Sequence, residues 1–240
     1  MPVPPAFRGL GAPSALAAPQ SPGVTALQAA LEAGPLTILA LGPLTNVTAS
    51  LERRPDLQRN VTRIVAVMGH CPGHLFHPTE GKGSGAVFGH GLIFRDLNVS
   101  MDPEAVGAAL TLQVPIILIP YDAARETLIT GADLDLLARK SAASAWVARR
   151  ARDWLTSWNN EVGLPGFYPC DWIAAAYVTD PSMFSCAAVT ARITREWTFW
   201  IVPHRSLVVE IPAATGYPAE GTVLYCPAAS WLLHNVLVAR

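Results

Sequence analysis

Leu36-Thr37-Ile38-Leu39-Ala40-Leu41 is a nearly unbroken apolar run that stops at Gly42-Pro43 and continues as Leu44-Thr45-Asn46. A half-exposed strand alternates apolar and polar residues, whereas a strand covered on both faces reads as continuous apolar sequence. Val61 to Met68 and Val114 to Pro120 repeat the pattern. Helical stretches precede and separate these runs. Ser21 caps the first, with Pro22 at its first position, Gly34 closing it, and Val24, Leu27, Ala30 and Leu31 forming one apolar stripe. A second runs from Gly42-Pro43 to about Arg53, and a third from Pro103 to about Leu112. Strand, helix, strand, helix, strand predicts an α/β fold with a mostly parallel sheet and flanking helices.

The rest of the chain continues in the same style and then changes. Ala132 to Lys140, Ala142 to Trp158 and Asp171 to Tyr177 are helical by pattern, with a turn over Gly163 to Pro169. After Pro181, four segments read as β: Val189 to Ile193, Thr198 to Val202, Leu207 to Ile211 and Thr222 to Tyr225. They predict a small antiparallel extension in the C-terminal third, closed by a helix over Ser230 to Ala239. No internal repeat interrupts this order, so residues 1–240 are expected to form one domain.

Composition narrows the function classes. The chain is 51% hydrophobic and 15% charged, with net charge −1. The low charge predicts a large core and self-association. There is no basic tract for nucleic acid. Arg149, Arg150 and Arg152 read as a solvated helix face. Neither a signal peptide nor an apolar stretch of membrane-spanning length is evident. The four cysteines, Cys71, Cys170, Cys186 and Cys226, form no C-x-x-C pair. Free thiols in a reducing, cytoplasmic setting are therefore expected.

Open α/β sheets bind ligands at the ends of their strands, which directs attention to Asp96-Leu97-Asn98 and Asp102-Pro103-Glu104-Ala105. Both groups could also be turn residues that satisfy backbone hydrogen bonds. The stretch from Gly69 to Arg95 holds seven glycines and four of the six histidines. His70 and His74 have the i, i+4 spacing of helical metal ligands, but Pro72 and Gly73 spoil a helix there, and a solvated loop is the alternative. Trp154, Trp158, Phe167, Tyr168 and Trp172 could stack on a planar ligand, although Trp154 and Trp158 also have ordinary core or interface spacing.

Four segments in order resemble the inosine–uridine-preferring nucleoside hydrolases. They are Leu39-Ala40-Leu41-Gly42-Pro43-Leu44-Thr45-Asn46, Ile64 to Gly69, Asp96-Leu97-Asn98-Val99 with Asp102-Pro103-Glu104-Ala105, and Asp171 to Tyr177 followed by Asp180-Pro181. The resemblance covers roughly residues 20–185. It implies hydrolysis of the N-glycosidic bond of ribonucleosides to ribose and free base. It also implies a calcium ion that grips the sugar hydroxyls and orients water. Asp171 matches a calcium-ligating aspartate, and Leu41 the position that gives the metal a backbone carbonyl. Asn98 matches a ribose-binding asparagine, and Asp96 stands where family members have a glutamate. Read without the resemblance, Asp171 is a helix N-cap.

The chain departs from the family pattern twice. The aspartate-rich strand that opens family members, and supplies most metal ligands and the general base, has no counterpart here. The chain therefore looks shortened by roughly 60 residues relative to the family, with sheet edges left open. Calcium takes about 6–8 oxygen ligands, so weak or absent metal binding and little hydrolase activity are expected of this chain alone. A non-catalytic ligand-binding or partner subunit of the same fold is the alternative. Secondly, the histidine before the family's aspartate is Cys170. Either His70 or His74 could then protonate the departing base, and Cys170 would be a small buried hydrophobe.

Overall fold

The computed structural model describes residues 21–69, 96–161, 163–198, 202–210 and 222–229. Its centre is a six-stranded sheet in the order β1-β2-β3-β8-β6-β7. The first three strands are β1 (Leu36–Ala40), β2 (Val61–Val67) and β3 (Ile116–Ile119). β1, β2, β3 and β8 (Thr222–Ala229) are parallel. β6 (Phe184–Thr198) runs antiparallel to both β8 and β7 (Val202–Glu210). A separate two-stranded ribbon pairs β4 (Ile129–Thr130) with β5 (Gly166–Phe167). The architecture is thus α/β, with the parallel half and antiparallel extension that the sequence predicts. Among the described strands, β1 and β7 form the sheet edges.

Helices cover both faces. α1 (Pro22–Ala33), α2 (Thr45–Arg53) and α4 (Pro103–Ala109) pack Val24, Leu31, Leu51 and Val106 with Ile64, Ala66, Leu118 and Leu207. On the other side, α5 (Tyr121–Ala124) and α8 (Cys170–Thr179) bring Tyr121, Ile173, Ala174 and Tyr177 against Val65, Ile117 and Ile119. α6 (Gly131–Ala138) and α7 (Ala142–Glu161) form a satellite core with Ile129 and Phe167. The parallel strands alternate between these two face clusters, which is why nearly every residue in their sequence is apolar.

Two motif residues have structural work. Thr45 Oγ1 donates to Asp102 Oδ2 at 2.5 Å, and Asp102 Oδ1 accepts the Ala105 N–H at 3.0 Å, capping α4. One buried carboxylate therefore fastens the start of α2 to the start of α4. Asn46 Oδ1 accepts from Ser21 Oγ, the cap of α1, at 3.1 Å.

Two expectations need correction. Val189–Ile193 and the start of Thr198–Val202 belong to one fifteen-residue strand, β6. Its charged positions, such as Arg192 and Arg195, break the apolar pattern without breaking the backbone ladder. The thiols of Cys186 and Cys226 are not free but form a disulfide across β6 and β8, with Cα atoms 4.1 Å apart. Cys170 is unpaired. Cys71 and the helix expected over Ser230 to Ala239 lie outside the described residues.

Candidate functional site

The functional candidates gather where the parallel strands end. Leu41 directly follows β1, whose Ala40 pairs with Ala66 of β2. The next residues of β2 lead to Val67, Met68 and Gly69. Asn98 Nδ2 donates to the Val67 carbonyl at 2.7 Å. Asp96 Oδ2 accepts the Gly69 N–H at 2.6 Å, while its Oδ1 accepts the Val99 N–H at 3.1 Å and caps α3 (Leu97–Met101). Asp96 and Asn98 thus close onto the carboxyl end of β2. Gly69 has φ +93°, and a Cβ there would lie 3.5 Å from the Tyr225 ring. Glycine lets the backbone turn its N–H toward Asp96 in a region that side chains enter only with strain.

Asp171 reaches the same edge by the direction of α8. Tyr177, late in the helix, lies with its ring centroid 5.9 Å from the guanidinium carbon of Arg63, early in β2. α8 therefore runs antiparallel to β2, and its first residues lie toward the end of that strand. Electrostatics agree: the Cys170 thiol is raised to about 12 by burial first, then by the charges of Asp171 and Asp96. Both carboxylates act on one sulfur.

Asp171 is not a helix cap. Pro169 holds the cap position, and no side chain caps the helix. Among the described residues the Asp171 carboxylate has no hydrogen-bond partner, and partial desolvation raises its pKa above the ordinary carboxylate value. Asp171 is exposed, so this carboxylate is open to a ligand at the strand-end edge. The sign is also testable. A raised folded-state pKa costs stability as pH climbs through it, and the cost vanishes below the unfolded value. Asp171→Asn is expected to unfold at a higher temperature than the parent at pH 7 and at the same temperature below pH ~4.

Cys170 is a half-buried thiol packed against the α5–α8 core. At pH 8 a thiol with pKa about 12 is ionised roughly 10³-fold less than an ordinary one. Iodoacetamide should therefore label Cys170 about that much more slowly than a free thiol at pH 8, with the rate still rising above pH 10.

The other candidates take structural places. Phe167 and Tyr168 are core residues, and Trp154 is exposed beside Trp158 with ring centroids 5.6 Å apart. Arg149 and Arg150 are exposed, and Arg152 pairs with Asp135. His70 and His74 lie outside the described residues. Sequence reading included Gly69 in the Ile64–Gly69 segment but gave it no role of its own, because a positive φ leaves no mark beyond the residue type. It also missed the Asp102–Thr45 link, for which a capping aspartate two residues before Glu104 was the available signal.

A family model described as inosine-uridine preferring nucleoside hydrolase matches residues 6–220. The chain belongs to this family. It is 28% identical over 169 residues to the probable uridine nucleosidase 2 of Arabidopsis thaliana, covering 69% of this chain and 48% of that protein. It is 24% identical over 187 residues to the pyrimidine-specific ribonucleoside hydrolase RihA of Salmonella enteritidis, covering 75% and 54%. The chain thus spans about half the length of these curated relatives. In fold it is similar to the purine-preferring ribonucleoside hydrolase from Gardnerella vaginalis, with TM-score 0.70, 16% identity, and coverage of 92% of this chain and 65% of that one. The plant nucleoside hydrolase PpNRh1 gives TM-score 0.68 at 20% identity, with 91% and 67% covered.

Nucleoside hydrolase membership raises the question of calcium. Among the described residues, no three His, Cys, Asp or Glu side chains come together as a metal site. Asp171 and the Leu41 carbonyl fall far short of the about 6–8 oxygens that calcium needs. Both oxygens of Asp96 already accept backbone N–H groups. These residues by themselves do not fit a calcium site.

Proposed function

We propose that the chain binds a ribonucleoside through its sugar at the carboxyl edge of the sheet, and that the reaction it serves is hydrolysis of the N-glycosidic bond to ribose and free base. The observation that carries this reading is the shared location of Asn98, Asp96 and the unpartnered Asp171, within a nucleoside hydrolase fold. Asn98 Nδ2 is held by Val67, so Asn98 Oδ1 is the atom that accepts a ribose hydroxyl. Asp171 and Asp96 supply negative charge where an oxocarbenium-like ribosyl centre develops, and that field lowers the barrier.

Of the two carboxylates assigned to the sugar, Asp96 is held by two backbone N–H groups, and this reading assigns neither of them to activating water. A missing base costs about 10²–10⁴-fold in rate. Calcium, family-typical, belongs to this proposal only with further oxygen ligands than these residues offer. A leaving-group acid from His70 or His74, cytoplasmic placement and self-association are further parts of the same reading. No helix among the described residues is long and apolar enough to cross a membrane.

Ribose release from inosine and uridine, measured with saturating nucleoside, tests the reaction. The expected turnover of the 240-residue chain is at least about 10²-fold below that of a family member with a complete carboxylate set. Ordinary turnover contradicts the proposed incompleteness. Asn98→Ala should weaken inosine binding about tenfold, the loss of one hydrogen bond to a polar ligand; unchanged affinity removes Asn98 from the site.

A further inference from the structure

The proposed sugar site draws on two parts of the sheet, and α3 bridges them. Asp171 and Leu41 belong to the β1–β2 side, through α8 and the end of β1. Asp96 and Asn98 lie at the start of α3, which is hydrogen-bonded to the end of β2 through Gly69 and Val67 and also packs against β7, at the opposite end of the strand order. α4 is likewise tied to both parts: Asp102 at its start accepts from Thr45 of α2, Glu104 pairs with Arg205 of β7, and a Cβ at Gly107 would lie 3.6 Å from the Ile193 side chain of β6. β8 is the strand between these parts, and its pairing with β3 has just two register partners, Ile117↔Leu224 and Leu118↔Tyr225.

The Cys186–Cys226 disulfide sits at this joint. Cys186 falls where the β6–β8 register shifts, between Ser185 and Ala187, so the covalent bond lies at a break in the regular ladder. Cys226 follows Tyr225, whose ring supports Gly69 and whose hydroxyl donates to Asp122 at 3.4 Å. Gly69 in turn holds Asp96. A continuous set of contacts therefore runs from the disulfide to the sugar-side carboxylate.

We infer that the Cys186–Cys226 bond is a thiol-sensitive clasp that sets the position of the β6–β7 ribbon, and with it α3, against the half of the sheet that carries Asp171. What the clasp controls rests on the sugar-site reading above. Opening it consumes two equivalents of a low-molecular-weight thiol. The first thiolate attacks Sγ of Cys186, the half-buried partner, and the Sγ–Sγ bond breaks. Cys226, fully buried, leaves as a thiolate and takes up a proton. A second thiol displaces Cys186 from the mixed disulfide. The protein gains two thiols, and the reagent becomes a disulfide.

The test uses the full chain. Non-reducing peptide mapping should recover a linked Cys186–Cys226 peptide. In the native amide spectrum, dithiothreitol should move resonances of Gly69, α3 and β7 while leaving α1 and β1 in place, and reoxidation should restore them. Inosine affinity should fall about tenfold on reduction and recover with the spectrum. The double variant C186S/C226S should reproduce the reduced spectrum; should it fail to fold, the reversible reduction of the parent still decides. Absence of the linked peptide, or shifts confined to the immediate neighbours of the two cysteines, overturns the clasp. If α3 responds to reduction but inosine binds neither form, the clasp stands and the sugar-site reading fails.

Discussion

Full reduction of the Cys186–Cys226 bond is expected to lower the unfolding free energy by about 4 kcal/mol. The bond joins residues separated by 40 positions, and closing a loop of that size removes about this much chain entropy from the unfolded state. For a chain of this length, each kcal/mol moves the midpoint by roughly 2–4 °C, so the melting temperature should drop by about 10 °C. Thermal unfolding followed by circular dichroism, with and without dithiothreitol, measures it. Identical melting curves would mean that the two sulfurs are not bonded in the purified protein. This stability effect acts on the unfolded chain and is separate from the native-state response of α3.

The second large effect is expected at Asp102, which is 1% exposed. Asp102→Ala removes the cap on the Ala105 N–H and strands the Thr45 hydroxyl. Cap loss costs about 1 kcal/mol, and a polar group left without its partner costs about 1–3 kcal/mol. Destabilisation of about 2–4 kcal/mol follows from these two costs together. Thr45→Val in the parent should be moderately destabilising, but in the Asp102→Ala background it should cost almost nothing further, because the pair acts as one unit. Urea unfolding of the four proteins of this cycle decides the matter; additive losses would show that the Thr45–Asp102 bond has no energetic weight. Thr45, Asn46 and Asp102 hold helix starts together, so substitutions there should act on folding before they act on a ligand.

The parallel strands were legible because burial on both faces leaves a run such as Ile116–Ile119 wholly apolar. β6 was harder. Its fifteen residues include Arg192, Thr194 and Arg195, which face partners on β7 without an apolar rhythm. α3 spans only five residues, too short for a helical period to emerge. The disulfide could not be read at all, since Cys186 and Cys226 meet only through the β6–β8 pairing. At the site, Asp96 and Asn98 stood out because polar residues beside a helix start are chemically conspicuous. What sequence could not say is that Asp96 uses both oxygens on the backbone, while Asp171 keeps its carboxylate without a partner among the described residues. That distinction depends on which helix end is capped by which residue, a matter of backbone geometry.

One sugar-binding edge, built from the Gly69 turn, α3 and the start of α8, underlies every functional statement above. Titration of inosine into isotopically labelled protein, with amide shifts followed residue by residue, tests it most directly. Saturable shifts are expected to concentrate at Gly69, Asn98, Val99 and Asp171, and to be strongly reduced in Asp171→Asn. Saturable shifts concentrated instead on α6 and α7, or an unchanged spectrum at saturating inosine, would contradict it.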